Sequence, residues 1–213
     1  FEAAQQCGIL AIPGGGMGSK ERLELLLQNM ANILCVTPTY AVRLAEAADE
    51  LAIDLKAKSL VRTIIVAGEP GGCIPQTRAR IESLWPEAHV FDHHGMTETG
   101  PVTYQLPDEP NKLRVIQEAY YAEVLDPKSL KPINEGQTGE LVLTTLGRTG
   151  SPLLRYRTGD LVCPRFHDEE LILEGGILGR VDDMVIIRGV NLYPSAVEAV
   201  LSQLSGIAEY RVY

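Results

Sequence analysis

Short apolar runs alternate with segments of helical period along the first half of the chain, and the alternation stops at about Leu113. Residues 8–12, 33–37, 61–67 and 89–92 read as strands. Between them, residues 19–30 place Leu23, Leu26, Leu27 and Met30 at helical spacing, with Ser19 as the N-cap. Residues 40–51 and 77–84 also read as helices. Strands separated by helices predict a parallel sheet covered on both faces. Beyond Leu113, residues 122–125, 140–144, 160–163, 171–173 and 184–188 read as strands with only turns between them. That run predicts an antiparallel, barrel-like or sandwiched unit. Helical spacing returns after Pro194 in Val197, Val200, Leu201 and Leu204, and residues 209–213 read as a last strand. The expected class is α/β. A parallel mixed sheet with helices spans 1–112 and an antiparallel barrel-like β unit spans 113–181. The start of a small C-terminal α+β domain spans 182–213.

Composition removes several functions. A chain of 213 residues can bury about 70% of its unfolded-state surface, enough for a real core. Acidic residues number 28 against 19 basic ones, a net charge of −9 that argues against a nucleic-acid surface. No apolar run reaches the roughly 18 residues of a membrane span, and the first residues lack the pattern of a secretory leader. The four cysteines, Cys7, Cys35, Cys73 and Cys163, lie far apart with no C-x-x-C pair. They read as reduced, mostly buried thiols of a cytoplasmic protein rather than as disulfides or zinc ligands.

Four segments could carry chemistry. Gly14, Gly15, Gly16 and Gly18 lie between a strand and a helix, the right place for phosphate. Ser19, however, stands where either phosphate-loop fingerprint needs glycine, so a tight turn is the better reading. Asp92-His93-His94-Gly95-Met96-Thr97-Glu98-Thr99-Gly100 follows a strand's carboxyl end, where open α/β sheets bind ligands. His94 offers a flat ring to a base, Gly95 lets backbone approach closely, Thr97 can donate to a phosphate oxygen and Glu98 is a hard oxygen ligand for Mg2+. The alternative is a polar loop with an incidental His pair. A zinc set of His89, Asp92, His93 and His94 is disfavoured, because neighbouring strand residues face opposite ways. In Arg155-Tyr156-Arg157-Thr158-Gly159-Asp160, the carboxylate after a tight turn can grip two vicinal hydroxyls, or it can be a solvated turn Asp. The stretch from Gly179 to Asn191 sets charged Arg180-Val181-Asp182-Asp183 before an apolar strand and a second Gly loop.

Together these segments resemble the adenylate-forming superfamily of acyl-CoA synthetases, adenylation domains and luciferases, and within it the phenylacetate–CoA ligase family. HHGMTETG is similar to the aromatic-Gly-x-Thr-Glu motif, RYRTGD to the ribose motif, GRVDDMVIIRGVNLYP to the hinge and following loop, and GEPGG to the stretch lining the adenine. AIPGGG, CVTPTYAVRLAE and GELVLTTLGRTGSPLLRYRTGD have the narrower family's character.

The resemblance implies an acid–thiol ligase that uses ATP, giving AMP, with Mg2+ and CoA as cofactors. Its partners would be CoA and a small, aromatic carboxylic acid, with no nucleic acid and no membrane, in a cytoplasmic homodimer. Gly68, Glu69 and Pro70 would line the adenine and acyl pocket, and Asp92, His93 and His94 would form the adenine pocket. His94 stands where the family usually has Tyr, which implies pH-sensitive stacking. Thr97 would contact the α-phosphate and Glu98 would hold Mg2+. Asp160 would bind the ribose hydroxyls and Arg180 the ribose or phosphate. Asp182 would be the hinge of the small domain. Arg188, Gly189, Val190 and Asn191 would lie on a loop approaching pantetheine, and Tyr40 would wall the acyl pocket. The family's upstream Ser/Thr/Gly phosphate loop and its C-terminal Lys have no match in these residues, so the chain alone is expected to be a nearly inactive part of a longer enzyme. Two other functions stay open: adenylation with a carrier protein or amine as acceptor, and a nucleotide-binding module without catalysis.

Overall fold

The computed structural model describes residues 2–168, 170–183, 185–187, 190–192 and 197. The first half holds helices α1 (Glu2–Gln6), α2 (Ser19–Gln28), α3 (Pro38–Glu50), α4 (Leu55–Lys58) and α5 (Pro75–Leu84). Among them lie strands β1 (Ile33–Val36), β2 (Thr63–Val66) and β3 (His89–Asp92), paired in parallel in the order β1-β2-β3. Parallel register sets Leu34, Ile64 and Val90 in one row and Val36, Val66 and Asp92 in another. Both rows face helices α2, α3 and α5, whose Leu23, Leu26, Leu44, Ala48 and Ile81 complete the first core. Trp85 closes that core, with its ring nitrogen donating to the carbonyl of Ala41 at 3.0 Å.

The other sheet face is less buried. Ile33, Thr63, Ile65 and Phe91 are half-buried, and Cys35 and His89 are exposed. Its rows mix Thr63, His89 and Cys35 with apolar residues. Cys7 is exposed as well, so only part of the thiol expectation holds.

Local expectations fail where a run is too short to decide. Residues 8–12 form no strand. Gly8 turns at φ +72°, and Leu10 is 83% exposed. A short apolar run does not distinguish a buried strand from an extended segment. Ser19 is the first residue of α2 rather than its cap, and its hydroxyl lies 3.2 Å from Tyr40 Oη. Helix α3 begins earlier than its apolar spacing indicates, because Pro38 suits the first turn and Thr37 Oγ1 accepts the Tyr40 amide.

After β3 the chain forms a small hairpin, β4 (Gly95–Met96) with β5 (Gly100–Pro101), and then β6 (Thr103–Tyr104) and β7 (Lys112–Val115). Strands β8 (Tyr120–Leu125), β9 (Gly139–Thr145), β10 (Tyr156–Val162), β11 (Pro164–His167), β12 (Glu170–Glu174) and β13 (Gly179–Arg180) follow. They build two four-stranded antiparallel sheets, β13-β10-β9-β8 and β11-β12-β7-β6. Val102, Leu113, Tyr120, Leu141, Leu143, Val162, Leu171 and Leu173 form their shared core. The α/β class with an antiparallel second part is therefore observed, with β4, β5, β6, β7, β11 and β13 beyond the expected strands. A last antiparallel pair, β14 (Val185–Ile187) and β15 (Val190–Leu192), covers the expected strand near 184–188. Apart from Val197, the helix expected after Pro194 lies outside the described residues, as does the strand expected at 209–213. Among those described, no helix is long and apolar enough to cross a membrane.

Candidate functional site

The carboxyl end of β3 and the middle of β10 bring the motifs together. Asp92, the last residue of β3, is buried, and its Oδ2 accepts the Cys73 amide at 2.7 Å. Its own amide donates to Gln105 Oε1 at 3.1 Å, and the same oxygen takes the Arg78 guanidinium at 2.5 Å. Burial raises the Asp92 carboxyl above its ordinary range, against the lowering effect of the Cys73 hydrogen bonds. Asp92 thus ties the 68–72 loop to the sheet. A Cβ on Gly72 would lie 2.5 Å from Asp92 Cβ and 2.6 Å from Val66 Cγ2, so this loop packs against β2 and β3 without side-chain room.

The rest of that loop meets α3. Gly68 is exposed at φ +94°, and Pro70 is exposed. Glu69 Oε1 accepts the Thr39 amide at 2.6 Å, so its carboxylate sits at the positive end of α3. Tyr40 lies on the same first turn, with the Arg22 guanidinium 4.6 Å from its ring centroid.

His94 is held from both sides. Its amide donates to Thr103 Oγ1 at 2.8 Å, and its carbonyl accepts the amides of Val102 and Thr103. The side chain is 12% exposed, and Nε2 lies 3.2 Å from Asp160 Oδ2. The two are not aligned for a hydrogen bond, and Nε2 has no hydrogen-bond partner among the described residues. Burial first, then the charges of His93 and Arg180, push the His94 pKa down to about 4, so the ring is neutral at pH 7. His93 is half-buried beside it, its amide on the carbonyl of Val66.

Gly95 does allow close approach, but to the protein's own backbone: a Cβ there would stand 2.7 Å from the carbonyl oxygen of Gly100. The requirement comes from the β4–β5 hairpin. Thr97 and Glu98 lie exposed at its tip. Arg148 donates to the Glu98 carbonyl, leaving the Glu98 carboxylate outward. Among the described residues, no three His, Cys, Asp or Glu side chains gather as a metal site.

Asp160 sits beside an irregularity in β10, where the register with β9 shifts between Arg157 and Leu161. Gly159 supplies φ +78° there. Thr158 Oγ1 accepts the Asp160 amide at 3.0 Å and donates to the Leu141 carbonyl at 2.9 Å. Burial raises the Asp160 carboxyl, offset by Arg180, whose Nη1 lies 3.2 Å from Oδ1 across the β10–β13 ladder. Asp182 then grips Arg180, with Nε at 2.9 Å and Nη2 at 3.3 Å from its two oxygens.

His94, Asp160, Arg180 and Asp182 therefore form one connected cluster. Glu69 and Tyr40 share the start of α3, and Thr97 and Glu98 stand on the hairpin. Arg188 and Gly189 lie outside the described residues. The sequence reading missed the braces: Glu140, 2% exposed and paired with Arg157, accepts the Gly159 amide at 3.3 Å. Tyr120 and Thr103 hold the hairpin and His94 in the same way.

Comparison with known proteins places the chain in a family. The chain is 36% identical over 211 residues to a phenylacetate-coenzyme A ligase of Thermus thermophilus, covering 93% of this chain and 45% of that protein. It is 32% identical over 217 residues to the phenylacetate-coenzyme A ligase of Pseudomonas putida, covering 99% and 48%. The chain thus spans about half the length of the curated relatives it matches. The solved structure of 2-hydroxyisobutyryl-CoA ligase in the postadenylation state, in complex with R3-HIB-AMP, superposes with a TM-score of 0.88 at 32% identity. That match covers 96% of this chain and 45% of the ligase. The family model of AMP-binding enzymes matches residues 8–148, more than half of the chain. The chain belongs to the AMP-binding enzyme family.

Proposed function

We propose that the chain is the nucleotide-binding part of a longer acyl- or aryl-CoA ligase, which activates a carboxylic acid as acyl-AMP with ATP and passes it to CoA. The observation that carries this reading is the His94–Asp160 pair. A buried polar nitrogen without a partner costs about 1–3 kcal/mol, and His94 Nε2 is such an atom beside a buried carboxylate. A site that keeps both suits a ligand with a flat base and vicinal hydroxyls. The neutral imidazole would stack on adenine, and Asp160 would accept the ribose hydroxyls.

The other roles follow the resemblance. His93, Asp92 and the backbone of Gly68, Glu69 and Pro70 would border the base, with Tyr40 on the acid side. Asp92 and Glu69 contribute by fixing backbone, since their carboxylates are engaged by Cys73 and Thr39. Gly95 would keep the hairpin tight enough to present Thr97 to the α-phosphate. The outward carboxylate of Glu98 is a hard oxygen donor that fits Mg2+, which when bound offsets phosphate charge. Arg180 would touch ribose or phosphate and Asp182 would act as hinge. Arg188 and Gly189 would lie near pantetheine. Residues 1–112 would be the second half of the large domain, 113–181 its β-rich subdomain and 182–213 the hinge and start of the small domain. The acid would be aromatic, as the relatives' names have it, and the protein a cytoplasmic homodimer.

The test is carboxylate-dependent ATP–pyrophosphate exchange by the full-length protein across aryl and alkyl acids. Exchange with an aryl acid is expected. A folded protein that binds ATP and exchanges with no acid would be a binding module instead.

A further inference from the structure

One guanidinium joins the carboxylate of the β10 bulge to the segment after β13. Arg180 Nη1 lies 3.2 Å from Asp160 Oδ1 and 3.4 Å from the Thr158 carbonyl, while Nε and Nη2 face the two oxygens of Asp182 at 2.9 and 3.3 Å. Asp182 therefore takes the two-pronged side of the fork, and Asp160 meets a single outer nitrogen. The bulge leaves room for this: a Cβ on Gly159 would stand 2.8 Å from Nη2. The two carboxylates differ in surroundings, with 8% of the Asp160 side chain exposed against 67% of Asp182. His94 Nε2 flanks the remaining oxygen of Asp160.

We infer that Asp182 is a positioning residue for nucleotide binding: by holding the fork of Arg180 it keeps Asp160 open to a ribose. The inference rests on the ribose role of Asp160 proposed above. Released from Asp182, the guanidinium can turn its fork onto Asp160. A bidentate pair there occupies both oxygens that the hydroxyls need. Movement of the segment carrying Asp182 thereby loosens the nucleotide through Arg180. Linkage makes this reciprocal: a ribose held by Asp160 favours the fork on Asp182. An ion pair as exposed as Arg180–Asp182 limits the effect to about three- to five-fold in affinity.

Titration calorimetry of the full-length protein with AMP and with 2′,3′-dideoxy-AMP tests this. Asp182→Asn is expected to weaken AMP binding about three- to five-fold and to leave the dideoxy nucleotide unchanged. Arg180→Lys replaces the fork with a point charge, so adding Asp182→Asn to it should change neither affinity. Three results overturn the inference: equal weakening of both nucleotides, no change for AMP, or an Asp182→Asn effect that survives in the Arg180→Lys background. If the unmutated protein binds AMP and dideoxy-AMP equally, the ribose role of Asp160 falls, and the inference with it.

Discussion

Tyr120 donates its hydroxyl to the backbone carbonyl of Thr99 at 2.7 Å, and both residues are buried. This bond joins β8 to the hairpin whose tip carries Thr97 and Glu98. The hairpin itself is only two residues long on each strand, too short to hold its place by its own ladder. Tyr120→Phe removes the donor and leaves a buried carbonyl unpaired. The expected loss is about 1–2 kcal/mol of stability, read from the urea midpoint, with a fall in adenylation rate from the less constrained tip. An unchanged midpoint would mean that water replaces the hydroxyl.

Gly72 is a second point of constraint. Its missing side chain leaves the space in which Asp92 Cβ and Val66 Cγ2 sit. Gly72→Ala forces the 68–72 loop off the sheet, and overpacking of this kind costs about 1–3 kcal/mol. A lower thermal midpoint is expected, with weaker ATP binding because the Cys73–Asp92 bond is strained. Gly15, with nothing within 4 Å of its added Cβ, is the control. Gly15→Ala should leave the midpoint within error.

The two cases show which parts of the site could be read from sequence. His94, Asp160 and Arg180 lie in compact motifs, and the family resemblance those motifs carry implies that they serve one nucleotide. Tyr120, Glu140 and Thr103 are ordinary strand residues in sequence. Their part depends on pairings such as Tyr120 with Thr99 and Glu140 with Gly159, which exist only once the β sheets form. Gly95 was legible as a place of close approach, but the approaching group, the Gly100 carbonyl, was not. The 8–12 run failed for the opposite reason: five apolar-looking residues without periodicity gave a strand where the chain leaves Leu10 to solvent.

His94 should make stability depend on pH. Its pKa is about 4 in the folded chain and about 6.5 when unfolded. Between these values the unfolded state binds the extra proton, so stability rises with pH through this window and is lost as pH falls. A shift of this size corresponds to about 3 kcal/mol across the window. His94→Tyr removes the titration while keeping a ring for stacking. Its stability should fall less than that of the unmutated protein from pH 6.5 to pH 4, measured by urea unfolding at several pH values. Parallel curves would show that His94 is not the buried neutral group described. Asp92 and Asp160 act with the opposite sign, because burial raises both carboxyls. Their cost grows as pH rises above the ordinary carboxylate range, so the His94 variant isolates the rising part of the profile.

Glu98→Gln tests the proposed metal role apart from nucleotide binding. Its carboxylate is exposed and its backbone carbonyl is held by Arg148, so Glu98→Gln alters charge without disturbing packing. Surface substitutions of this type change stability by about 0.5 kcal/mol or less, and an unchanged thermal midpoint is expected. If Glu98 holds the metal as proposed, a divalent ion on the phosphates loses a hard oxygen ligand with that charge. Pyrophosphate exchange should then fall by about 100-fold and recover partly at raised Mg2+. AMP, whose proposed contacts with His94 and Asp160 involve no metal, should bind as before. An exchange rate that ignores the substitution at every Mg2+ concentration would take the metal role from Glu98. A loss of AMP affinity would instead place its carboxylate, or the hairpin it sits on, in contact with the nucleotide itself.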